Sequence, residues 1–435
     1  MLLTDSSEVP VENGWMYETK YDGFRCILTW EKGEQTPLLK SRNDLVLNQM
    51  FPDIIRFCQK IYEDVEPYLP LMFDGELVYL TNDFQSNFSI VQKRGRMRNE
   101  QTIEANAASF PCHYIVFDLL KWEGKLKINR HLKTRKQLLA KCFETLNLPT
   151  SVNYKDAKCL QAIDVFEDHT LLLQKVKINN GEGIIAKKDT SKWVEATRTN
   201  NWLKIKNWRY VDVILTKYDR ANGYFNAAVY RDETLVEVVT FVHGMKDEDK
   251  KTLITMFEKY GTLTNGQVWE IPASICVAVA CIDFDGSKLR EPRFHSFKLH
   301  VNPSECNWQQ LLRQLNPIPE SISITHPDKP VFPENEITKD DYLLYLQKAA
   351  PYMLPFLQNR LLTVIRYPHG VPGESFYQKN YNETIPSFVT THEVEDTNYV
   401  LCNELQTLLW LGNQLAIEFH IPFQPIPPHR FPPKP

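Results

Sequence analysis

One lysine near the start of the chain has neighbours that suit a nucleophile. The stretch ETKYDGFR at residues 18–25 places Lys20 two residues after a glutamate and two before an aspartate–glycine pair, with Arg25 five positions on. An amine with an ordinary pKa of about 10.4 attacks only when burial or nearby cations help it lose its proton. The glycine would let the backbone approach a nucleotide, and the arginine would hold phosphate oxygens. A surface lysine beside a tight turn is the alternative that this stretch alone leaves open.

Five further stretches follow within the first 207 residues: SRN (41–43), FDGEL (73–77), VFDLL (116–120), EGIIAKK (182–188) and WLKIKN (202–207). Each also has a structural reading, such as a strand that ends in a turn, a core aromatic residue or an amphipathic strand. Together and in this order they resemble the nucleotidyltransferase family that contains ATP-dependent DNA ligases, RNA ligases and mRNA capping enzymes. One departure is Asp44, which follows SRN where the family usually has glycine.

The resemblance implies a covalent intermediate and a nucleotide site. Lys20 would attack the α-phosphate of ATP and carry AMP. Glu76 would hydrogen-bond the ribose, and Phe117 would stack on the adenine ring. Lys204 and Lys206 would offset the charge of the α-phosphate, because phosphoryl transfer depends mainly on positioning and charge neutralisation.

The same resemblance implies contacts to metal and to DNA. Glu182 and Glu76 would face the divalent cation, Mg²⁺ or Mn²⁺. Arg25 and Arg42 would hold the 5′-phosphate of a nick, and Arg25 would also contact the nucleotide. Glu18 would lie on the same face of a strand as Lys20 and could orient the adenine edge or the amine.

The first part of the chain alternates short β-rich runs with helix-like segments, which indicates an α+β domain over residues 1–208. The predicted strands cover 15–18, 26–30, 71–79, 114–120 and 183–186, and the clearest predicted helix covers 130–146. Residues 209–308 show five strand-like runs and one helix-like run at 247–260. This pattern is typical of a small OB-fold barrel, which commonly binds nucleic acid.

The barrel segment holds one more candidate motif. The stretch KLREPRF at 288–294 resembles the start of the family's motif that acts on the nucleotide in the first step, with Arg290 as its functional residue. Lys298 stands where a lysine could contact the leaving pyrophosphate. The family's usual basic-acidic-lysine ending is replaced by HSFKLHV, so an outward-facing lysine on an alternating strand is the alternative.

Residues 309–323 are a predicted linker, and residues 324–435 a third module. Thr338 is the predicted cap of a helix that begins near Lys339. From THPDKPVFPENEITKDDYLLYLQKAAPYMLPF onward, the text resembles the primase-type polymerase module of the bacterial nonhomologous end-joining family called ligase D, in the ligase-first order of Bacillus-like members. The resemblance reaches about residue 424.

This module is expected to be truncated. The family's paired aspartates, which would hold two metals for nucleotide addition, lie beyond the matched text, and residues 425–435 read PIPPHRFPPKP. We therefore expect no polymerase activity, a partial α/β fold and uncovered apolar faces around residues 408–419. Lys379 could contact DNA, although a solvated lysine is the simpler reading.

Composition limits the cellular setting. The chain has 435 residues and a formal net charge of −4, which argues against indiscriminate coating of nucleic acid but not against a local basic groove. Its nine cysteines are odd in number and contain no CxxC pair, which favours a reducing compartment. No apolar run approaches the ~20 residues of a membrane span, so a cytoplasmic protein with no membrane partner is expected.

The predicted function is an ATP-dependent DNA ligase that seals nicks or broken ends of duplex DNA, in nonhomologous end-joining repair. The family works with the bacterial end-binding protein Ku, which makes Ku an expected partner. An RNA ligase or a GTP-using capping enzyme is one alternative. A DNA-end-binding scaffold whose catalysis has decayed is another, although the presence of Lys20, Glu76 and Glu182 argues against it.

Overall fold

The computed structural model describes residues 1–264, 266–381 and 385–426. The chain divides into two compact units. Unit 1 comprises Met1–Arg209, Val238–Met245 and Val279–His295, and unit 2 comprises Tyr210–Glu237, Lys246–Ala278 and the chain from Ser296 onward. Both units therefore draw on the predicted barrel segment. The domain boundaries at 208, 308 and 323 stay predictions.

The first 209 residues alternate strands and helices, as predicted for an α+β domain. The strands are β1 (Leu2–Asp5), β2 (Trp15–Thr19), β3 (Phe24–Trp30), β4 (Leu38–Ser41), β5 (Leu71–Val78), β6 (Leu80–Asn82), β7 (Gln85–Ser86), β8 (His113–Trp122), β9 (Lys125–Leu126), β10 (Leu160–Ala162), β11 (Gly183–Lys188) and β12 (Arg198–Lys206). The helices are α1 (Pro52–Lys60), α2 (Tyr62–Val65), α3 (Phe88–Arg96), α4 (Glu100–Ser109), α5 (Leu132–Thr145) and α6 (His169–Ile178), with a 3-10 turn at Glu66–Tyr68. The five predicted strands correspond to β2, β3, β5, β8 and β11, and the predicted helix to α5.

Two sheets organise this part of unit 1. The larger has the order β10-β8-β5-β3-β4, with β9 paired to β8, and the smaller has the order β1-β12-β11-β2. Strand β8 reads HYIVFDLLKW and is buried along almost its whole length, because it lies in the middle of the sheet and is covered on both faces. Gly23 and Gly75 fit the close approach of β3, β5 and β8. A Cβ at Gly23 would lie 2.1 Å from the Leu77 carbonyl oxygen, and one at Gly75 would lie 2.6 Å from the Tyr114 ring.

The next segment supplies the barrel strands. These are β13 (Arg209–Asp219), β14 (Tyr224–Arg231), β15 (Thr234–Phe241), β16 (Thr262–Thr264), β17 (Val268–Glu270), β18 (Cys276–Cys281), β19 (Asp283–Phe284), β20 (Leu289–Arg290) and β21 (Arg293–Phe297), with helix α7 (Asp247–Tyr260). The sheet order β15-β14-β13-β17-β16, extended by β18 and β21, agrees with the predicted OB-fold class. The five predicted runs correspond to the longer strands, and the short ones carried too few alternating residues to be seen.

The last part of the chain includes a helix that overlaps the predicted linker. Its helices are α8 (Trp308–Leu315), α9 (Lys339–Leu357) and α10 (Leu405–Asn413), and its strands are β22 (Pro330–Phe332), β23 (Ile337–Thr338), β24 (Thr363–Arg366), β25 (Phe376–Gln378), β26 (Thr390–Val394), β27 (Thr397–Leu401) and β28 (Ala416–His420), with 3-10 turns at Pro303–Glu305 and Pro333–Asn335. Thr338 caps α9 as predicted, since its hydroxyl accepts from the Asp341 N–H at 3.3 Å. Helix α8 occupies half of the segment predicted as a linker.

The prediction of an uncovered apolar face at residues 408–419 is wrong. Leu408, Leu409, Leu411 and Ala416 are each 0% exposed, and Phe419 packs against the same core. The cause is α9, which packs against α10 and covers that face from within the module. The proline-rich end, residues 427–435, lies outside the described residues. No helix within the described part of the chain is long and apolar enough to cross a membrane.

Candidate nucleotide-binding site

Lys20 directly follows β2 and points at a carboxylate. Its Nζ lies 2.5 Å from Glu182 Oε1, and its backbone N–H donates to the Gly183 carbonyl at 2.9 Å, because β2 pairs with β11. Burial lowers the pKa of Lys20, but Glu182, Asp22 and Glu76 together raise it by more, so the net pKa lies above its ordinary value. The amine is therefore an ammonium near neutral pH. Its nearest charged partner is a carboxylate, where the sequence analysis expected cations.

Glu182 and Glu76 have the features of carboxylates that could face a cation. Burial raises the pKa of Glu182 despite the opposing charge of Lys20, and its Oε2 is buried with no hydrogen-bond partner among the described residues. Burial also raises the pKa of Glu76 to about 8, with Asp22 adding to the effect. Among the described residues no group of three or more His, Cys, Asp and Glu side chains could hold a metal alone. A divalent ion held by two carboxylates and by substrate phosphates fits this arrangement.

A cavity of about 220 Å³ in unit 1 collects most of the predicted residues. Those that line it are Lys20, Arg25, Arg42, Glu76, Phe117, Lys204 and Lys206. Three predicted residues do not line it: Glu18, Glu182 and Arg290. The sequence analysis missed Lys187 and Trp202, which also line it. The alternation of β11 and β12 was the available signal, since both residues lie on strands that already carried a predicted motif.

The two phosphate-site lysines stand two residues apart on β12 and so share one face. Asp5 on β1 lies 3.1 Å from Lys204 Nζ and 3.6 Å from Lys206 Nζ. Lys206 Nζ also forms an ion pair with Glu291, and its side chain is only 4% exposed. Both lysines therefore have acidic partners. Neither Asp5 nor Glu291 was among the predicted residues.

The aromatic end of the cavity holds a buried ammonium. Lys187 Nζ lies 4.4 Å from the centroid of the Phe117 ring and 4.2 Å from that of Trp202. Glu18 is fully buried and pairs with Lys187 at 2.6 Å and with Lys136. Burial lowers the pKa of Lys187 to about 8, although Glu18 opposes the shift. Glu18 thus pairs with two lysines, Lys187 at the cavity wall and Lys136, and not with the amine of Lys20.

Arg25 and Arg42 differ in their hydrogen bonding and exposure. The Arg25 guanidinium donates to Asp74 through Nε at 3.0 Å and through Nη2 at 2.7 Å, and Nη1 donates to the Met1 carbonyl. Arg42 is exposed and lines both this cavity and a neighbouring one of about 380 Å³. Asp44 has φ +59°, in the left-handed region. That conformation explains why glycine suits this position, and aspartate tolerates it better than most residues.

Arg290, the last residue of β20, reaches the lysine motif. Its Nη1 donates to Asp22 Oδ2, and its guanidinium lies 4.2 Å from the centroid of the Phe88 ring. Asp22, Arg290 and Glu291 all belong to unit 1. In unit 2, Lys298 Nζ lies 3.3 Å from Asp212 Oδ1, and Lys379 is exposed.

Two family models match the chain. The ATP dependent DNA ligase domain matches residues 6–206, and the LigD primase-polymerase domain matches residues 338–434, ten residues beyond the limit given by the sequence analysis. The bifunctional non-homologous end joining protein LigD of Bacillus subtilis is 36% identical over 425 residues, 98% of this chain and 69% of that protein. The chain belongs to the LigD family.

Other matches are more distant. DNA ligase 2 of Methanosarcina acetivorans is 25% identical and covers 68% of this chain and 53% of that one. The solved structure of a mycobacterial DNA ligase D complexed with ATP and MES is 19% identical, covers 70% of this chain and 96% of that chain, and gives a TM-score of 0.40. Membership of the LigD family confirms the resemblance stated from the sequence motifs.

Proposed function

We propose that this LigD-family chain is a ligase that uses ATP to seal nicks or broken ends of duplex DNA, in nonhomologous end joining. The observation that carries the proposal is the cavity in which Lys20 meets Glu76 and the lysine pair Lys204 and Lys206. It joins a half-buried amine, cations for phosphate and, beside the amine, the Glu182 carboxylate, whose Oε2 has no hydrogen-bond partner among the described residues.

In the proposed first step, ATP enters with its α-phosphate at Lys204 and Lys206. Lys20 loses a proton to Glu182, the carboxylate 2.5 Å away, and its Nζ attacks the α-phosphorus. The bond to the leaving oxygen breaks, pyrophosphate departs, and a lysyl phosphoramidate of AMP remains. Glu76 would bind the ribose and Phe117 the adenine. Mg²⁺ or Mn²⁺ held by Glu182 and Glu76 would offset phosphate charge when bound.

In the next two steps DNA replaces pyrophosphate. The 5′-phosphate at a nick, held by Arg42, attacks the phosphorus of AMP and frees the Lys20 amine. The 3′-hydroxyl then attacks the activated 5′-phosphate, AMP leaves, and the phosphodiester forms. Arg25 was also predicted to contact the 5′-phosphate. Because Arg25 donates two hydrogen bonds to Asp74, its main role would be to hold the wall of the cavity in place.

The setting of the reaction is also proposed. The bacterial end-binding protein Ku is the proposed partner, and the cytoplasm is the proposed compartment. All nine cysteines are buried and free, as a reducing compartment would keep them. The absence of polymerase activity stays a prediction, because the match at 338–434 runs into residues that the structure does not describe.

The central step is tested by intact-mass measurement after mixing the full chain with ATP and Mg²⁺ or Mn²⁺. We expect one AMP per chain, located by peptide fragmentation at Lys20, and loss of both the adduct and nick sealing in Lys20→Ala. The matched control Lys379→Ala removes an exposed lysine outside the cavity and is expected to form the adduct like wild type.

Other outcomes would favour the alternatives. An adduct formed with GTP but not with ATP would indicate a capping enzyme, and sealing of RNA but not DNA nicks would indicate an RNA ligase. Binding to DNA ends without an adduct under either metal would indicate a scaffold. An adduct at a residue other than Lys20 would contradict the proposed mechanism.

A further inference from the structure

We propose that Asp5 and Glu291 form an acidic clamp on Lys204 and Lys206, and that the phosphates of ATP must displace this clamp to bind. The inference rests on the proposed function, because it assigns the two lysines to phosphate. It adds two positioning residues that set the affinity for ATP. It also gives a function to strand β1, which carries Asp5 and which no sequence motif indicated.

The first half of the clamp comes from β1. This strand pairs in parallel with β12, and the register places Asp5 opposite Lys204. The next residue, Ser6, donates its N–H to the Lys204 carbonyl at 3.0 Å, which fixes the end of β1 at this position. Both carboxylate oxygens are used: Oδ2 lies 3.1 Å from Lys204 Nζ, and Oδ1 lies 3.6 Å from Lys206 Nζ. The two lysines thus share one carboxylate.

The second half comes from the turn after β20. Glu291 pairs with Lys206 and has φ +47°, a left-handed conformation that is unusual for glutamate. A strained residue persists only where its surroundings hold it, and such residues are frequent at functional sites. The turn connects Glu291 to Arg290, whose guanidinium binds Asp22. Arg290 at the end of β20 and Glu291 in the turn after it therefore contact both ends of the lysine site.

Charge decides what the clamp does. Without a partner, two ammonium groups on one strand face would repel each other, so the carboxylates keep them in place. A nucleotide phosphate would occupy the same ammonium groups and would repel both carboxylates. Asp5 and Glu291 are 53% and 46% exposed at their side chains, so each can turn into water when displaced. The clamp should therefore weaken ATP binding without taking part in the chemical step.

The test compares Asp5→Asn, Glu291→Gln and the double variant with wild type. The rate of Lys20–AMP formation is measured against ATP concentration. We expect the half-saturating ATP concentration to fall about three- to fivefold in each single variant and about tenfold in the double variant, with no increase in the maximal rate. Asp5→Glu keeps the charge and should restore the wild-type value to within about twofold.

The variant Glu8→Gln is the control for a general effect of charge on ATP affinity. This change removes one negative charge from the same segment, and the Glu8 side chain forms no ion pair within the described residues. We expect less than about a 1.5-fold change. Adenosine, used as a competitor, has no phosphate and should inhibit wild type and Asp5→Asn equally. If Asp5→Asn strengthened inhibition by adenosine as much as it strengthened ATP binding, the clamp proposal would be overturned.

The remaining outcomes separate the two proposals. If wild type forms no adduct at Lys20, the proposed function fails before the clamp is reached. If wild type forms the adduct and half-saturation is unchanged or rises in both single variants, the clamp is wrong and the ligase assignment stands. Thermal unfolding checks that each variant folds, and Asp5→Ser replaces any Asp5→Asn chain that does not.

Discussion

The first 209 residues and the C-terminal module build their interiors in opposite ways. Buried charged side chains are numerous in the first region: Glu18, Asp74, Arg94, Asp118, Arg135, Lys136, Lys187 and Arg209. In the described residues from 316 onward, the only charged side chain in that class is Lys339, and the core is a continuous apolar cluster. The first interior positions charges, whereas the second is built mainly from apolar contacts.

The difference follows from what each interior supports. Removing a charge from water costs several kcal/mol unless partners compensate, so buried ions are retained only with fixed partners. Glu18 holds Lys187 between Phe117 and Trp202 at the wall of the cavity. Asp74 similarly accepts from Arg25, whose guanidinium lies 5.4 Å from the centroid of the same Phe117 ring. In the ligase region, desolvation of these charges is unfavourable, but their fixed partners hold the cavity side chains rigidly in place.

The largest expected effect comes from the Asp118–Arg135 pair. Both side chains are fully buried, with Nη2 2.7 Å from Oδ2 and Nε 2.8 Å from Oδ1. Arg135→Met leaves Asp118 buried without its cation, so we expect a loss of about 3–5 kcal/mol in the free energy of unfolding of unit 1. Calorimetry of the full chain can assign the unit 1 transition, because ATP should shift it upward.

The matched control replaces both partners. Arg135→Met combined with Asp118→Leu removes the uncompensated charge and should recover more than half of the loss. If the single variant unfolds like wild type, or if the double variant is as unstable as the single one, then buried charge is not what distinguishes this interior.

The second prediction concerns the apolar interior. Leu408 on α10 is 0% exposed within the C-terminal core. Leu408→Ala should lower the free energy of unfolding of the module by about 2–5 kcal/mol through lost burial and a cavity. Leu299→Ala, at a side chain that is 77% exposed, should change stability by less than about 0.5 kcal/mol. Formation of Lys20–AMP should be unchanged in both variants, and a parallel loss of adenylation would remove the contrast between the regions.

The same contrast explains what the sequence could reveal. Local patterns were sufficient for β3, for α5 and for the Thr338 cap, because alternation, helical spacing and a capping residue act over a few positions. Motifs with side chains that face one cavity were also visible, and seven of those residues line it. The local patterns depend on neighbours in the chain, whereas the seven cavity residues were carried over from the family resemblance.

The parts that were missed depend on distant pairs. Strand β1 forms because it pairs with β12, almost 200 residues later, and Glu18 finds Lys187 across 169 positions. No local pattern encodes which buried cation meets which carboxylate. The prediction of an uncovered face at residues 408–419 failed for the same reason. Helix α9 covers that face, and the sequence did not show how α9 packs.

The smallest expected effect depends on backbone geometry and residue type, and not on how each interior is built. Asp44 and Glu336 have φ +59° and +56°. Glycine removes the left-handed strain but loses more entropy on folding, by about 0.5–1 kcal/mol. Glu336→Gly should therefore gain about 0.5 kcal/mol in thermal unfolding, and Asp44→Gly should stay near zero because aspartate already tolerates this conformation. Glu334→Gly, two residues before Glu336 and at ordinary φ, should lose stability, and a gain there would mean that strain is not the cause.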